Sequence, residues 1–311
     1  MPAGAIVGRV VRPDRGWVRV ALLEPDRLPD AVDPSGVVAA RTREDRIGTA
    51  VVGDWVVLDD EPDDVEVASV LERDNALRRA DPVGAGEQVL AANIDQVLVV
   101  AGLDRPRKEG RLQRAIVQVH DAEATPVIVL TKADAVADAA ADAAAVAAAH
   151  PDVDVVVTSS HTGIGLDRIR ALLPGRTTVL LGESGAGKSS LLNVLGGSEL
   201  TEVGDVRDRD RKGRHTTTRR ELHQVDDGLV VDTPGVRAVG LYAEPWAVDA
   251  TFPDVVAAME CRFGNCTHGH EPGCGVLAAV AAGTLTPSRL DAYRALHAEA
   301  SDSQEPPDRW R

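Results

Sequence analysis

The stretch Thr177-Thr-Val-Leu-Leu-Gly182-Glu-Ser-Gly-Ala-Gly187-Lys188-Ser189 decides the fold, because it joins an apolar strand to a glycine-rich turn and the start of a helix. Its part from Gly182 to Ser189 fits the phosphate-binding pattern G-x-x-x-x-G-K-[ST]. Glycines let backbone N–H groups converge on phosphate oxygens, and the N-terminus of the helix adds a favourable dipole. The stretch therefore predicts a nucleotide site at the end of a strand in an α/β sheet.

Two side chains of this turn have specific expected roles. Lys188 is expected to reach the β- and γ-phosphates as a catalytic group, and the Ser189 hydroxyl to bind Mg²⁺. The other residues expected to contact the nucleotide here are Gly182, Glu183, Ser184, Gly185, Ala186, Gly187 and Ser190. The alternative, a glycine-rich turn without a ligand, is disfavoured by the strand before it and the helix after it.

A second phosphate-site motif, Asp232-Thr-Pro-Gly235, follows the apolar run Leu229–Val231. A carboxylate at a strand end can hold Mg²⁺ through water, and the Gly235 N–H can meet the γ-phosphate. Between the two motifs lies His215-Thr-Thr-Thr218, in which one hydroxyl could complete the magnesium shell when the γ-phosphate is present. The alternatives are a plain turn for the first segment and a polar surface loop for the second.

Two strand-end segments are candidates for base recognition. Thr131-Lys132-Ala-Asp134 follows Val127–Leu130, and Ser159-Ser160 follows Val153–Val157. A carboxylate at position 134 accepts two hydrogen bonds from guanine, whereas adenine offers neither donor and leaves it unpaired. The stem of Lys132 can lie along the base. Each segment alone is also an ordinary loop, but together they end parallel strands, where α/β sheets bind ligands.

The order of these motifs is informative. In ordinary GTPases the phosphate motif comes first, whereas here the base motifs at 131 and 159 precede the phosphate motif at 182. The same sheet forms if the chain enters the ring of elements at a different point, which is possible because domain termini often lie close together. The sequence therefore predicts a circularly permuted P-loop GTPase domain over residues 93–245.

The segments on either side of this domain differ from it in residue composition and hydrophobic pattern. Short Val-rich runs separated by Pro, Gly and Asp in residues 1–75 predict an OB-like β-barrel, and residues 76–92 are typical of a linker. Residues 246–300 hold a Cys/His cluster and helical stretches, which predict a mainly helical zinc-binding domain. Residues 301–311 have a composition typical of a disordered tail.

The cluster Cys261-x₄-Cys266-x-His268-x₅-Cys274 offers three thiolates and an imidazole, a suitable set for one structural, tetrahedral Zn²⁺. It uses every cysteine of the chain, which argues against disulfides and favours a reducing cytoplasm. His270 is the rival to His268, and three unligated thiols are the alternative to a metal site.

Charge limits the partners. The chain carries 34 basic and 49 acidic residues, a net charge of −15, so any contact with RNA must be local. Basic residues concentrate between Arg207 and Arg220 and again between Arg105 and Arg114, where solvated charge is the equally plain interpretation. The N-terminus lacks the pattern of a signal peptide, and no apolar run is long enough to span a bilayer.

These features together resemble the small ribosomal subunit biogenesis GTPases of the RsgA (YjeQ) type. The resemblance rests on the permuted motifs, the preceding barrel, RHTTT, DTPGVR and CRFGNCTHGHEPGC, and covers about residues 1–300. It implies a cytoplasmic, monomeric enzyme that binds the 30S subunit and 16S rRNA late in assembly and hydrolyses GTP there. It also implies Mg²⁺ with GTP, one structural Zn²⁺, and Thr217 as the switch threonine, with Thr216 and Thr218 as close rivals.

Two departures stand against the resemblance, namely the residue at position 131 and the acidic net charge, which is unhelpful for a ribosomal partner. The family's base motif is usually N-K-x-D, and the Thr131 hydroxyl replaces only part of what an Asn amide does. No glutamine follows Gly235 to orient the attacking water, so His215 is the candidate, with a solvated residue or an rRNA contact as the alternatives. The rival functions are an adenine-specific ATPase or kinase and a non-enzymatic RNA-binding scaffold with a vestigial nucleotide site.

Overall fold

The computed structural model describes residues 5–28, 32–33, 35–42, 49–61, 64–81, 86–197, 220–233 and 240–304. The chain divides into two compact units. The first comprises Met1–Leu77, Val89–Arg107 and Ala124–Ala238, and the second comprises Arg78–Gln88, Lys108–Glu123 and Val239–Arg311.

The N-terminal part of the first unit is a closed five-stranded barrel in the order β1-β2-β3-β5-β4. Its strands alternate buried valines with outward-facing residues, the pattern of a strand with one face on a core. The core of the barrel includes Val10, Val20, Val38 and Val56. The strands are β1 Ile6–Asp14, β2 Trp17–Leu22, β3 Val37–Arg41, β4 Trp55–Glu61 and β5 Asp64–Val70.

The rest of the first unit contains a six-stranded sheet in the order β10-β9-β8-β11-β13-β12. All neighbouring pairs are parallel except β12 with β13, which is antiparallel. Strands β8, β9 and β11 are almost continuously buried, as expected for a parallel sheet covered on both faces. The strands are β8 Gln96–Gly102, β9 Thr125–Thr131, β10 Asp154–Val157, β11 Thr177–Gly182, β12 Glu221–Val225 and β13 Gly228–Asp232.

Helices follow the strands of this sheet. Those in the first unit are α2 Ala139–Ala149, α3 Leu166–Arg170 and α4 Lys188–Gly196. Ile169 of α3 and Leu191 and Leu192 of α4 are fully buried in one core with strand residues such as Leu98 and Leu180. This packing fixes the turn between β11 and α4, which is the predicted phosphate site.

Arg9 fastens the barrel to the sheet. Its guanidinium donates to the carbonyl of Asn93 at 2.7 Å and to the hydroxyl of Thr177, the first residue of β11, at 3.0 Å. It also donates to the carbonyl of Gly53 at 3.2 Å and lies over the ring of Trp55. A half-buried charge needs such partners, so this contact is a specific link between the two parts of the first unit.

The second unit is mainly helical. Its core centres on Phe252, which packs edge-on against Tyr293 at 5.7 Å and lies under the guanidinium of Arg289. Arg114 forms a two-pronged ion pair with Glu299, and Arg78 pairs with Asp121. The helices are α1 Glu109–Asp121, α5 Pro245–Thr251, α6 Pro253–Ala257, α7 Gly275–Ala281 and α8 Pro287–Gln304.

The structure differs from the sequence-based boundaries in three places. Residues 76–92, predicted as a linker, contain β6 Ala76–Ala80 and β7 Glu87–Ala92, which pair as a two-stranded sheet. Helix α1, expected in the permuted domain of residues 93–245, belongs to the second compact unit because its buried face joins the C-terminal core. Helix α8 extends to Gln304, four residues into the predicted tail, and residues 305–311 lie outside the described residues.

Candidate functional site

The predicted nucleotide-site residues that the structure describes lie at one edge of the sheet. Strands β9, β10, β11 and β13 are mutually parallel through their neighbours, so their carboxyl ends meet at the same edge. Those ends are followed by Thr131–Asp134, Ser159–Ser160, Gly182–Ser190 and Asp232. This is the edge at which open α/β sheets bind ligands.

The phosphate-binding turn has the backbone that its glycines predict. Gly185 and Gly187 take positive φ angles of 75° and 97°, which L side chains rarely adopt. Gly182 must lack a side chain for another reason, since a Cβ at this position would lie 2.3 Å from the carbonyl oxygen of Val100. Helix α4 then starts at Lys188, so its N-terminus faces the concave side of the turn.

Lys188 lies inside the turn and is 6% exposed. Its ammonium group donates to the carbonyls of Gly182 at 2.8 Å and Glu183 at 3.1 Å. Burial lowers the pKa of Lys188 to about 8, although the charge of Asp232 acts in the opposite direction. A cation that is held in a turn away from water is suited to an anionic ligand. The negative charge of a phosphate compensates for the hydration that the ammonium loses on burial.

Asp232 is the second buried charge of the site. It is 2% exposed, and neither carboxylate oxygen has a hydrogen-bond partner among the described residues. Burial raises the pKa of Asp232 to about 6, and the nearby Lys188 opposes that rise. Unsatisfied buried carboxylate oxygens are costly, and a hydrated divalent cation is the partner that suits them. The donor set therefore fits Mg²⁺, with Ser189 at the start of α4.

The base-recognition segments contact each other. The Ser159 hydroxyl donates a short hydrogen bond to Oδ1 of Asp134, and it accepts from the backbone N–H groups of His161 and Thr162. The hydrogen bond from Ser159 is the main reason that the pKa of Asp134 is lowered. Asp134 is thus held ionised and oriented, as a carboxylate that accepts from guanine must be. Ser160 is partly exposed beside this pair.

Side chains of the base motif also hold the phosphate turn. The Thr131 hydroxyl donates to the carbonyl of Ala186, and the Lys132 ammonium donates to the carbonyl of Gly185 at 2.7 Å. Lys132 takes a left-handed backbone conformation with φ of 60°. The two nucleotide subsites are therefore joined directly, and Thr131 supplies one of the bonds despite its departure from the family's usual Asn.

Asp104 and Arg105 belong to the same cluster, and the sequence motifs did not identify them in it. Asp104 accepts from Lys132 at 2.8 Å, and Arg105 donates to the carbonyl of Gly185 at 2.9 Å. In the sequence, Arg105 is recognisable only as part of the basic segment 105–114. Arg107, another arginine of the basic segment 105–114, instead pairs with Asp142, 3.3 Å away.

Three expected nucleotide-site residues lie outside the described residues. These are His215, Thr217 and Gly235. Thr216 and Thr218, the rivals of Thr217, lie there too, as does most of the basic segment Arg207–Arg220. Their assignments stay predictions.

The Cys/His cluster converges in the second unit. The ligand atoms of Cys261, Cys266, His268 and Cys274 all lie within 4.8 Å of one another. The Sγ atoms of Cys261 and Cys274 are 3.7 Å apart, and Nδ1 of His268 lies 3.4 Å from Sγ of Cys274. Tetrahedral zinc with Zn–S bonds near 2.3 Å places its ligand atoms roughly 3.5–3.8 Å apart. The cluster therefore fits one zinc ion, and His268, not its rival His270, is the histidine in it.

Glu271 holds the loop that presents His268. Its carboxylate accepts from the N–H groups of Thr267 at 2.8 Å, Gly269 at 2.8 Å and His270 at 3.0 Å. These bonds flank His268 on both sides, where the backbone takes a positive φ of 56°. Such a conformation persists only where the surroundings enforce it, so Glu271 stabilises the geometry of the ligand.

Among the described helices, none is long and apolar enough to cross a membrane.

Comparison with known proteins gives a consistent result. Residues 70–242 match the family model described as RsgA GTPase. A protein of Streptomyces avermitilis named "Small ribosomal subunit biogenesis GTPase RsgA" is 42% identical over 303 residues, covering 94% of this chain and 79% of the relative. One of the same name from Syntrophotalea carbinolica is 40% identical over 265 residues, covering 81% of this chain and 73% of the relative.

Solved structures agree with these relatives. The crystal structure of YjeQ from Thermotoga maritima superposes with a TM-score of 0.68 and 26% sequence identity, covering 96% of this chain and 99% of that one. The structure of YloQ, described as a circularly permuted GTPase, superposes with a TM-score of 0.66 and 26% identity, covering 98% of both chains. The permuted order of the motifs is thus found in a solved protein of the same architecture.

Proposed function

Because the chain belongs to the RsgA GTPase family and is a GTP-hydrolysing enzyme, we propose that it acts in small ribosomal subunit biogenesis, as its named relatives do. Its partner is the 30S subunit, which it binds late in assembly through 16S rRNA, and binding there accelerates hydrolysis to GDP and phosphate. The protein works as a monomer in the cytoplasm, where ribosomes assemble.

The single observation that most supports the hydrolytic site is the buried pair Lys188 and Asp232. Both charges are desolvated, and the carboxylate has no hydrogen-bond partner among the described residues. Bound GTP places its β- and γ-phosphates against Lys188 and the backbone N–H groups of Gly182–Ser190. Ser189 and Thr217 would hold Mg²⁺ directly and Asp232 through water, and the ion would supply positive charge to the transferring phosphate. Gly235 offers its N–H to the γ-phosphate.

Guanine is selected by Asp134, which Ser159 orients. The N–H of Ser159 donates to the carbonyl of Ile164 at 3.0 Å, so the N–H of Ser160 is the candidate donor to the guanine O6. The stem of Lys132 is the candidate cover for a face of the base. An adenine nucleotide leaves the oriented carboxylate unpaired, so this arrangement opposes the adenine-specific ATPase or kinase alternative. A competition binding assay with GTP, GDP and ATP tests this, and ATP binding as tight as GTP binding would contradict it.

The contact with rRNA is local, since the chain as a whole is acidic. We assign it to the arginine-rich segment 207–220 and to the barrel, where the exposed Trp17 lies beneath the guanidinium of Arg41. Phosphate contacts release counterions, so 30S affinity should fall steeply with salt. Replacing several of these arginines by glutamine should lower both the affinity and its salt slope. Unchanged values would place the contact elsewhere and favour a different partner surface.

His215 orients the attacking water, since Val236 and Arg237 after Gly235 offer no neutral amide. The test is His215→Ala at saturating 30S subunits. Loss of stimulated turnover with intact GTP and 30S binding supports the role, whereas loss of 30S binding makes His215 a contact residue. Unchanged stimulation removes the assignment.

A zinc ion held by Cys261, Cys266, His268 and Cys274 would have a structural role, because four protein ligands complete the usual zinc set and leave no position for substrate. An RNA-binding scaffold with a vestigial nucleotide site is the remaining alternative. The buried Lys188 and Asp232 argue against it, since a vestigial site has no reason to retain two desolvated charges.

A further inference from the structure

Three consecutive carbonyls of the phosphate turn point outward and accept hydrogen bonds from side chains. The carbonyl of Ala186 accepts from Thr131, and that of Gly185 accepts from both Lys132 and Arg105. The carbonyl of Ser184 accepts a longer bond of 3.4 Å from Arg105. Thr131 and Lys132 belong to the base motif, whereas Arg105 follows strand β8 and belongs to no motif.

An outward carbonyl has a consequence for phosphate binding. A trans peptide group is planar, so holding its C=O on the outside of the turn directs the following N–H to the inside. The Ala186 N–H follows this rule, since it donates across the turn to the carbonyl of Glu183 at 3.2 Å. Arg105 thus constrains the two peptide groups on either side of Gly185. The Ala186 N–H is bonded to Glu183 in this structure, so a bound phosphate would replace that carbonyl as its acceptor.

Asp104 places the arginine. Its carboxylate lies 3.5 Å from Nε of Arg105 and 2.8 Å from the ammonium of Lys132, so it holds both cations against the turn. Gly102 leaves room for it, because a Cβ at that position would lie 2.5 Å from Oδ1 of Asp104. A guanidinium presents several donors in a rigid planar fork, so less rotamer entropy is lost for each hydrogen bond that it makes than with an ammonium.

We propose that Arg105 is a positioning residue for GTP and GDP binding: it holds the carbonyls of Ser184 and Gly185 outward and so preorganises the phosphate turn for the β-phosphate. This role goes beyond the general assignment of a GTPase and removes Arg105 from the candidate rRNA surface. It acts through the backbone and requires no direct contact between the guanidinium and the nucleotide.

The test compares Arg105→Ala and Arg105→Lys with Arg107→Ala in the full-length chain. Arg107 is a matched control from the same basic cluster, but its side chain pairs with Asp142 of α2. Equilibrium binding of a fluorescent GDP analogue should weaken roughly fivefold to tenfold in Arg105→Ala, the size expected for losing charge-assisted hydrogen bonds at a partly exposed site. It should weaken less in Arg105→Lys and remain at the parent value in Arg107→Ala.

A second measurement separates positioning from general destabilisation. GMP lacks the β-phosphate, so its displacement of the analogue should change less than that of GDP in Arg105→Ala. An affinity for GDP within twofold of the parent, an equal loss for GDP and GMP, or the same loss in Arg107→Ala would overturn the proposal. So would weakened 30S binding with unchanged GDP binding, which identifies an rRNA contact. If Arg105→Ala does not fold, the same comparison is made with Arg105→Lys. A larger loss of affinity for GDP than for GMP supports the proposal, and an equal loss overturns it.

Discussion

The Thr131 hydroxyl donates a hydrogen bond to the carbonyl of Ala186 at 2.5 Å, joining the base motif to the phosphate turn. A Cβ on the neighbouring Gly187 would lie 3.1 Å from the same hydroxyl, so the two segments are closely packed. A threonine has one donor where an asparagine amide has two. The bond explains how a chain with T-K-x-D keeps a direct hydrogen bond between its base motif and its phosphate turn.

The first prediction concerns this bond. Thr131→Val is nearly isosteric but removes the donor and leaves the carbonyl of Ala186 without it, so GDP affinity should fall roughly threefold to tenfold. Thr131→Ser keeps the hydroxyl and should bind within about twofold of the parent. Equilibrium titration with a fluorescent GDP analogue measures both. Equal affinities for the valine variant and the parent would show that the bond contributes nothing to nucleotide binding.

The second prediction concerns catalysis. Lys188→Ala should lower GTP turnover by about a hundredfold or more, because it removes the cation that meets the transferring phosphate. Its nucleotide affinity should fall strongly as well. Lys108→Ala is the control, since Lys108 lies before helix α1 in the second unit. Near-parent turnover in Lys188→Ala, measured as phosphate release, would remove the active-site assignment.

The third prediction follows from the pKa of Lys188, which burial lowers to about 8. Bound phosphates stabilise the charged ammonium and raise that pKa, so nucleotide binding above pH 8 takes up a proton. GDP affinity should therefore fall as pH rises above about 8. Calorimetry at pH 9 in two buffers of different ionisation enthalpy should detect uptake approaching one proton, with little at pH 7. Absence of uptake at pH 9 would contradict a charged Lys188 at the phosphates.

The fourth prediction concerns the metal. Purified protein should contain one tightly held zinc per chain, and Cys261→Ser or Cys274→Ser should lower its retention and destabilise the second unit. Glu271→Gln should release zinc to a chelator faster than the parent, because an amide has one acceptor oxygen where the carboxylate has two. Those two oxygens accept from Thr267 on one side of His268 and from Gly269 on the other. Glu260→Gln serves as the control in the same region. Metal analysis finding well under one zinc per chain after mild purification would count against the site.

Much of the fold was predictable because its signals are local. Strand β11, the glycines at 185 and 187, and the start of α4 follow from one stretch, and the alternating valines of β1 to β5 predicted the barrel. The linker prediction for residues 76–92 was wrong, since β6 and β7 are short and carry arginines such as Arg78 and Arg79 rather than an apolar run. Helix α1 has the pattern of any amphipathic helix, and pattern alone does not say which core its face joins.

Some residues of the candidate site could be identified from sequence motifs, and others only from the three-dimensional structure. Lys188, Asp134 and Asp232 are recognisable because their motifs fix residue type and spacing. The contact of Arg105 with Gly185 joins positions 80 residues apart in the sequence, and neither spacing nor composition records it. The sequence favours His268 over His270, but only the three-dimensional cluster places Nδ1 of His268 beside the thiols.

The central claim is that this GTPase works on the small ribosomal subunit. The most direct test is the steady-state rate of GTP hydrolysis by the full-length chain with and without purified 30S subunits, with 50S subunits and ATP as controls. We expect slow GTP turnover by the chain alone, a large increase with 30S subunits, and little increase with 50S subunits or with ATP as the substrate. A rate that 30S subunits leave unchanged, or that 50S subunits raise equally, would contradict the claim.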